Sequence, residues 1–154
     1  MNTETPPSFL ARYYLFLAWI VAIVATGGSL YLSDVMLLEP CKLCWYQRIF
    51  MYPQVILLGI AAYHNDRRIV RYSMPLVILG ACVAIYHYAE QHIPALSRIL
   101  PCTTGVPCNK PYFEWFGFIT IPFMALIAFI LIALLLWRGS RATDAIVYED
   151  EEIE

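Results

Sequence analysis

The chain has 154 residues, of which 60% are hydrophobic and 14% charged, with a mean hydropathy of +0.62. Soluble domains carry about 45–50% apolar and about 25% charged residues, so this composition excludes one, and with it disorder, a basic nucleic-acid surface and a secreted disulfide-stapled miniprotein. The net charge of −2 hides an asymmetry: six of the twelve acids (Asp144, Glu149, Asp150, Glu151, Glu152, Glu154) fall in the last eleven positions, leaving ten basic and six acidic groups in residues 1–143. The expectation is one membrane domain over 1–143 and an acidic, solvated cytoplasmic tail over 144–154.

Four hydrophobic segments follow in chain order. The first, residues 13–33, is 21 residues without a charge, enough at about 1.5 Å per residue to cross a hydrocarbon core of about 30 Å. It lacks a small-residue cleavage pattern and reads as a retained signal anchor. Gly27, Gly28 and Ser29 within it are expected to let a neighbouring helix approach closely. The second segment, 45–63, is charge-free except for Arg48. The third, 72–89, carries His87 and Cys82, and the fourth, 115–137, is bounded by Trp115 and Trp137 as an aromatic belt would be. Lipid offers the backbone no hydrogen-bond partners, so each segment is expected to be a helix, giving an all-α, four-transmembrane-helix bundle. Pro53, Pro75 and Pro122 are expected to kink those helices, Pro75 least because it is placed in a first turn.

Lys and Arg in short loops set the orientation. Arg12, Arg67, Arg68, Arg71, Arg138 and Arg141 lie on one side, and Lys42, Arg98 and Lys110 lie in the loops 34–44 and 90–114 on the other. Both termini are therefore expected in the cytoplasm. That assignment, made without reference to cysteine, puts Cys41, Cys44, Cys102 and Cys108 on the outer face, where disulfides persist. The expected pairs are Cys41–Cys44 and Cys102–Cys108, although four cysteines allow three connectivities. Cys82 reads as a small core residue of the third helix.

Cys41-Lys42-Leu43-Cys44-Trp45-Tyr46-Gln47-Arg48 opens the second segment, with Pro40 suited to a first helical position. Two cysteines three apart share a helix face, and Arg48 lies four beyond Cys44 on it. A helix N-terminus and a nearby guanidinium both favour the thiolate, the reactive form of cysteine. The alternatives at this stage are a structural disulfide with Arg48 snorkelling to the headgroups, and a four-cysteine zinc site. The zinc reading is disfavoured by the five residues between Cys102 and Cys108 and by the lack of a histidine cluster, so no metal is expected. The loop around that second pair is rich in proline, and a short exposed disulfide is a good exchange partner.

The Cys-x-x-Cys-Trp-Tyr-Gln-Arg run at the start of a second membrane helix, with a second external cysteine pair, resembles the DsbB family of disulfide-bond formation proteins. Tyr86-His87-Tyr88-Ala89-Glu90-Gln91 and Gly117-Phe118-Ile119-Thr120-Ile121-Pro122-Phe123 resemble its BdbC-type branch more closely. The resemblance implies a bacterial cytoplasmic-membrane enzyme that re-oxidises an extracytoplasmic thioredoxin-fold dithiol oxidase (DsbA/BdbD-like) and passes the electrons to a quinone, menaquinone or ubiquinone. It implies Cys41, Cys44, Cys102 and Cys108 as the redox residues: attack on Cys102, transfer from Cys108 to Cys41, and Cys44 as the thiolate facing the quinone. Gln47 and Arg48 are expected at the quinone, Arg48 stabilising the charge that develops there. His87 and Gln91, four apart, are expected to hydrogen-bond its oxygens, while His64 and His92 are expected in solvated loops. The short loop leaves the order of attack within Cys102 and Cys108 open. Tyr112, Phe113, Trp115 and Phe116 suit either partner docking or interface anchoring. Two other classes remain: a non-enzymatic membrane scaffold with structural disulfides, and a quinone reductase resembling the vitamin K epoxide reductase group.

Overall fold

A computed structural model describes residues 9–93, 96, 106–108 and 120–151, with side chains only between 12 and 141. Among these residues the structure is wholly helical: α1 (Phe9–Leu30), α2 (Lys42–His64), α3 (Ile69–His92) and α4 (Ile121–Glu151). A π-helical turn, Tyr31–Val35, prolongs α1. The helices pack in a ring, each against its sequence neighbours and α4 back against α1, with α2 and α4 barely touching across the middle. That order is an up-and-down bundle. Between α2 and α3 the chain reverses through Asn65, whose left-handed φ of 52° ends α2, and Asp66, whose Oδ1 accepts the Arg68 N–H at 2.9 Å.

Three stretches are long and apolar enough to cross a membrane: Arg12–Val35, Ile69–His92 and Ile121–Arg141. The expected fourth, on α2, does not meet that measure although α2 has 23 residues. The reason lies in which way its polar groups point. Gln47 and Gln54 are buried within the bundle, on the same stripe as Leu43, Met51, Leu58 and Ala61, whereas Ile49, Ile56 and Ile60 face outward. Polar residues that lower the average hydropathy of α2 are thus turned away from its outer surface. One of them ties α2 to α3, the Ser73 hydroxyl donating to Oε1 of Gln54.

The core is a stack of small and large side chains. Ala18 and Ala22 of α1, Ala61 of α2 and Ala84 of α3 let the backbones approach, and Tyr14, Leu58, Phe129, Ile132 and Leu136 fill the space between them. Gly80 lies under the Phe129 ring, where a Cβ would overlap it. The Trp19 indole N–H donates to the Val55 carbonyl at 3.0 Å, passing over Gly59.

Several expectations require correction. A Cβ on Gly27 or Gly28 would meet nothing within 4 Å, so no helix packs closely there. The third helix begins at Ile69, which makes Pro75 an interior proline. Pro122 is the second residue of α4, where its missing N–H is harmless. Cys82 is exposed, since its position on α3 faces outward. His64 and His92 end α2 and α3 instead of lying in loops. The backbone of α4 runs on through the start of the acidic tail to Glu151.

Candidate functional site

The end of α1, the start of α2, the end of α3 and the start of α4 meet at one end of the bundle. Cys41 is the N-cap of α2, with ψ of 170° and its carbonyl accepting the Trp45 N–H at 3.2 Å; Pro40 therefore precedes the cap and is not the first helical residue. Cys44 follows in the first turn. Both are free thiols with their sulfurs 3.2 Å apart, so the expected Cys41–Cys44 disulfide appears here as its reduced, hydrogen-bonded form.

Facing them from α3 is His87, only 1% exposed. Its Nε2 lies 3.5 Å from Sγ of Cys41, and its Nδ1 lies 3.1 Å from Nε2 of Gln47. Both ring nitrogens are engaged, by Cys41 and Gln47, and His87 also lines the cavity beside the dithiol. The Cys44 thiol beside Cys41 holds the Cys41 thiol well below the ordinary cysteine range; burial opposes this, and His87 adds to the lowering by hydrogen bonding and charge. Cys41 is thereby predisposed to the reactive form.

Arg48 turns to α1, where Nε donates to the Ser29 hydroxyl at 3.0 Å and Nη2 to the Ser29 carbonyl at 3.1 Å. Its guanidinium also covers the Trp45 ring at 5.4 Å. This answers the cost of an arginine in a membrane helix: its donors are satisfied by a neighbouring helix at the end of the bundle.

Cys108 is buried and disulfide-bonded. It joins Cys41 and Leu43 in one small buried cluster, with Cys44 and Tyr86 packed against it, and the Tyr86 hydroxyl donates to the Leu96 carbonyl at 3.1 Å. Cys102 and the aromatic run Tyr112, Phe113, Trp115 and Phe116 lie outside the described residues.

A cavity of about 410 Å³ opens beside the dithiol, within the range of about 300–1,000 Å³ typical of small-molecule sites. Cys41, Cys44, Gln47, Arg48, His87 and Gln91 all line it, so it gathers the expected site residues of α2 and α3. The rest of the wall is mostly apolar and comes from α1 and α4. Three polar atoms on lining residues are buried without a hydrogen-bond partner: Gln91 Oε1, Thr120 Oγ1 and the Tyr52 hydroxyl. Leaving such groups unpaired costs about 1–3 kcal/mol each, which favours an occupant that pairs with two hydroxyls and an accepting amide oxygen. Tyr52, Thr120 and Ser29 were not candidates from the sequence, because a hydroxyl in an apolar run carries no signal of its own.

The family model described as "Disulfide bond formation protein DsbB" matches residues 11–138. "Disulfide bond formation protein C" of Bacillus subtilis (strain 168) is 54% identical over 131 residues, covering 84% of this chain and 95% of that protein. "Probable disulfide formation protein C 1" of Bacillus cereus is 56% identical over 123 residues, covering 80% of this chain and 88% of that protein. A "Probable disulfide formation protein" of Coxiella burnetii is 48% identical over 136 residues, covering 88% of this chain and 92% of its own length. No solved structure matches.

Proposed function

Belonging as it does to the DsbB family of disulfide-bond formation proteins, the chain is a membrane disulfide oxidoreductase, and we propose that it re-oxidises an extracytoplasmic thioredoxin-fold dithiol oxidase and passes the electrons to a membrane quinone. The observation that carries this reading is the packing of disulfide-bonded Cys108 with Cys41 at the wall of an apolar cavity. One exchange centre abuts another, and the second opens on a ligand-sized space.

The exchange runs in four balanced steps. A partner thiolate attacks Cys102 of the Cys102–Cys108 disulfide, forming a mixed disulfide and releasing Cys108 as thiolate. Cys108 attacks Sγ of Cys41 in the oxidised Cys41–Cys44 pair and releases the Cys44 thiolate. The partner's second thiol attacks its own sulfur in the mixed disulfide with Cys102, closing the partner disulfide and freeing Cys102. Cys102 then attacks Cys108, restoring the loop disulfide and freeing Cys41. The outcome is a Cys41–Cys44 dithiol beside a restored Cys102–Cys108 disulfide.

Bound in the cavity, a quinone would supply the acceptor for two electrons and two protons. Tyr52 and Thr120 would donate to its oxygens, Gln91 would serve the opposite polarity, and Arg48, held by Ser29, would offset negative charge near Cys44. With the Gln47 amide turned so that its oxygen accepts Nδ1–H, His87 Nε2 is placed to take the proton of Cys41. The apolar wall excludes water that would otherwise compete for thiolate and proton.

The orientation belongs to the same proposal. The dithiol lies at the opposite end of the bundle from the arginine-bearing α2–α3 connection (Arg67, Arg68), and Arg12 and Arg141 cover Tyr13 and Trp137 at 5.7 and 4.5 Å. Arginine-rich ends favour the cytoplasmic side, which supports the reading of both termini in the cytoplasm and the cysteines outside, with α2 crossing alongside the other three helices.

The test is an anaerobic stopped-flow assay with a reduced thioredoxin-fold oxidase and a soluble quinone, read by quinone absorbance. Stoichiometric reduction by the wild type and none by Cys44→Ser is the expected result. Quinone that stays oxidised with folded wild type and a competent partner would overturn the reading and favour the scaffold.

A further inference from the structure

The donor atoms of Cys41, Cys44 and His87 all lie within 4.8 Å of one another, on a buried site beside the cavity. Two thiols and an imidazole are the ligands that thiophilic cations prefer, and a tetrahedral zinc site needs only one further ligand, for which a water suffices. From this arrangement we infer a redox-gated, inhibitory binding site for a thiophilic metal ion, held by Cys41, Cys44 and His87 in the reduced protein.

The geometry is close to what such an ion requires. With zinc–sulfur bonds of about 2.3 Å and a zinc–nitrogen bond of about 2.0 Å, a tetrahedral ion sets two sulfurs about 3.8 Å apart and a sulfur and nitrogen about 3.5 Å apart. Cys41 Sγ and His87 Nε2 are already 3.5 Å apart, and the two sulfurs at 3.2 Å need to open by about half an ångström. Cys44 sits in the first turn of α2 and Cys41 caps it, so a change in side-chain torsions supplies that movement. Gln47 orients His87 from the far ring nitrogen, the position from which outer-shell groups fix metal-binding histidines; with its amide turned so that the oxygen accepts Nδ1–H, Nε2 is left free for the ion. The cavity supplies an entry path and room for a water.

Binding is a substitution without redox change: the cation takes both sulfurs as thiolates, and whatever protons they carry go to solvent. A Cys41–Cys44 disulfide offers no thiolate, so the oxidised protein lacks the site. A metal-held pair in turn cannot close to the disulfide until the ion leaves. The ion therefore halts the protein with its dithiol reduced. This inference stands on the dithiol and His87 alone and is independent of the quinone and partner reading.

The experiment is an anaerobic Zn²⁺ titration of the full-length protein in detergent against a chromophoric chelator, after reduction and with Cys41–Cys44 oxidised. Expected is one zinc per reduced chain and at least about 100-fold weaker binding by the oxidised chain. Cys41→Ser and Cys44→Ser each abolish it, and Gln47→Leu weakens it about 10–100-fold, as loss of an outer-shell partner does. The Cys102→Ser/Cys108→Ser double variant and Cys82→Ser bind as the wild type does, which separates this site from one built on the loop pair. Both His87→Ala and His87→Gln are measured, each with its helical circular dichroism, so that a folding defect in one leaves the other decisive. Unchanged affinity in a folded His87 variant, equal binding by the oxidised protein, or loss of binding in the loop double variant would each overturn the inference.

Discussion

At the arginine-bearing end of the bundle, Leu58, Ile132 and Leu136 are fully buried, and Gly139 leaves no room for a Cβ against the Tyr14 ring. At the cysteine end the same four helices part around about 410 Å³ of space, with three hydroxyl or amide oxygens left without partners. Both ends of the bundle are built mainly from apolar residues, so average hydrophobicity does not distinguish them. Residue size and the placement of a few polar groups do. One end is packed to hold the helices together, and the other leaves contacts unmade beside the dithiol.

If the division holds, substitutions at the two ends change different observables. The largest effect is expected for His87→Ala: turnover falls about 10²–10⁴-fold, as on removal of a positioned proton acceptor, while the thermal midpoint in detergent moves little. A loss of stability matching the loss of turnover would instead make His87 a packing residue. Leu136→Ala should do the reverse, destabilising the bundle by about 2–5 kcal/mol in denaturant unfolding with turnover per folded molecule unchanged. Gly139→Ala, which pushes a Cβ into the Tyr14 ring, should cost about 1–3 kcal/mol by the same measurement. Arg48→Lys keeps the charge and loses the paired bonds to Ser29. The apparent KM for quinone should rise by up to about tenfold, about 1.4 kcal/mol, with little change in stability.

The pH dependence sharpens the same contrast. Because Cys41 ionises below the ordinary cysteine range, its thiolate persists as pH falls through that range and is lost only at the lowered value. Iodoacetamide should therefore label Cys41 of the reduced, chelator-treated protein at pH 6, where an ordinary thiol is about 0.3% ionised and nearly inert. A labelling profile that follows an ordinary thiol would remove the assigned influence of Cys44 and His87.

Much of the cysteine end was legible in the chain. Cys41, Cys44, Gln47 and Arg48 sit within two turns of one helix, so helical periodicity alone relates them. His87 was recognised as a site residue, but its contacts with Cys41 and Gln47 were not, because the rotation of α3 that brings it to them is fixed by packing against α2 at Ser73–Gln54 and against α4 at Gly80–Phe129 and is not written in spacing. Ser29 was read as a packing residue and turned out to hold Arg48. Cys82 was read as buried because an apolar helix gives no signal of which side faces lipid. For α2 the average hydropathy understated the helix, since a glutamine turned inward counts against it as heavily as one turned outward.

The most direct test of the account is whether Cys108 reaches Cys41. In Cys44→Ser/Cys82→Ser/Cys102→Ser protein these are the two remaining cysteines, and their buried cluster should let them close under mild oxidation. The account predicts an intramolecular Cys41–Cys108 disulfide, identified by mass spectrometry of unreduced peptides, with the helical content of the wild type. Two free thiols in a folded protein, under conditions that oxidise the native pairs, would contradict it.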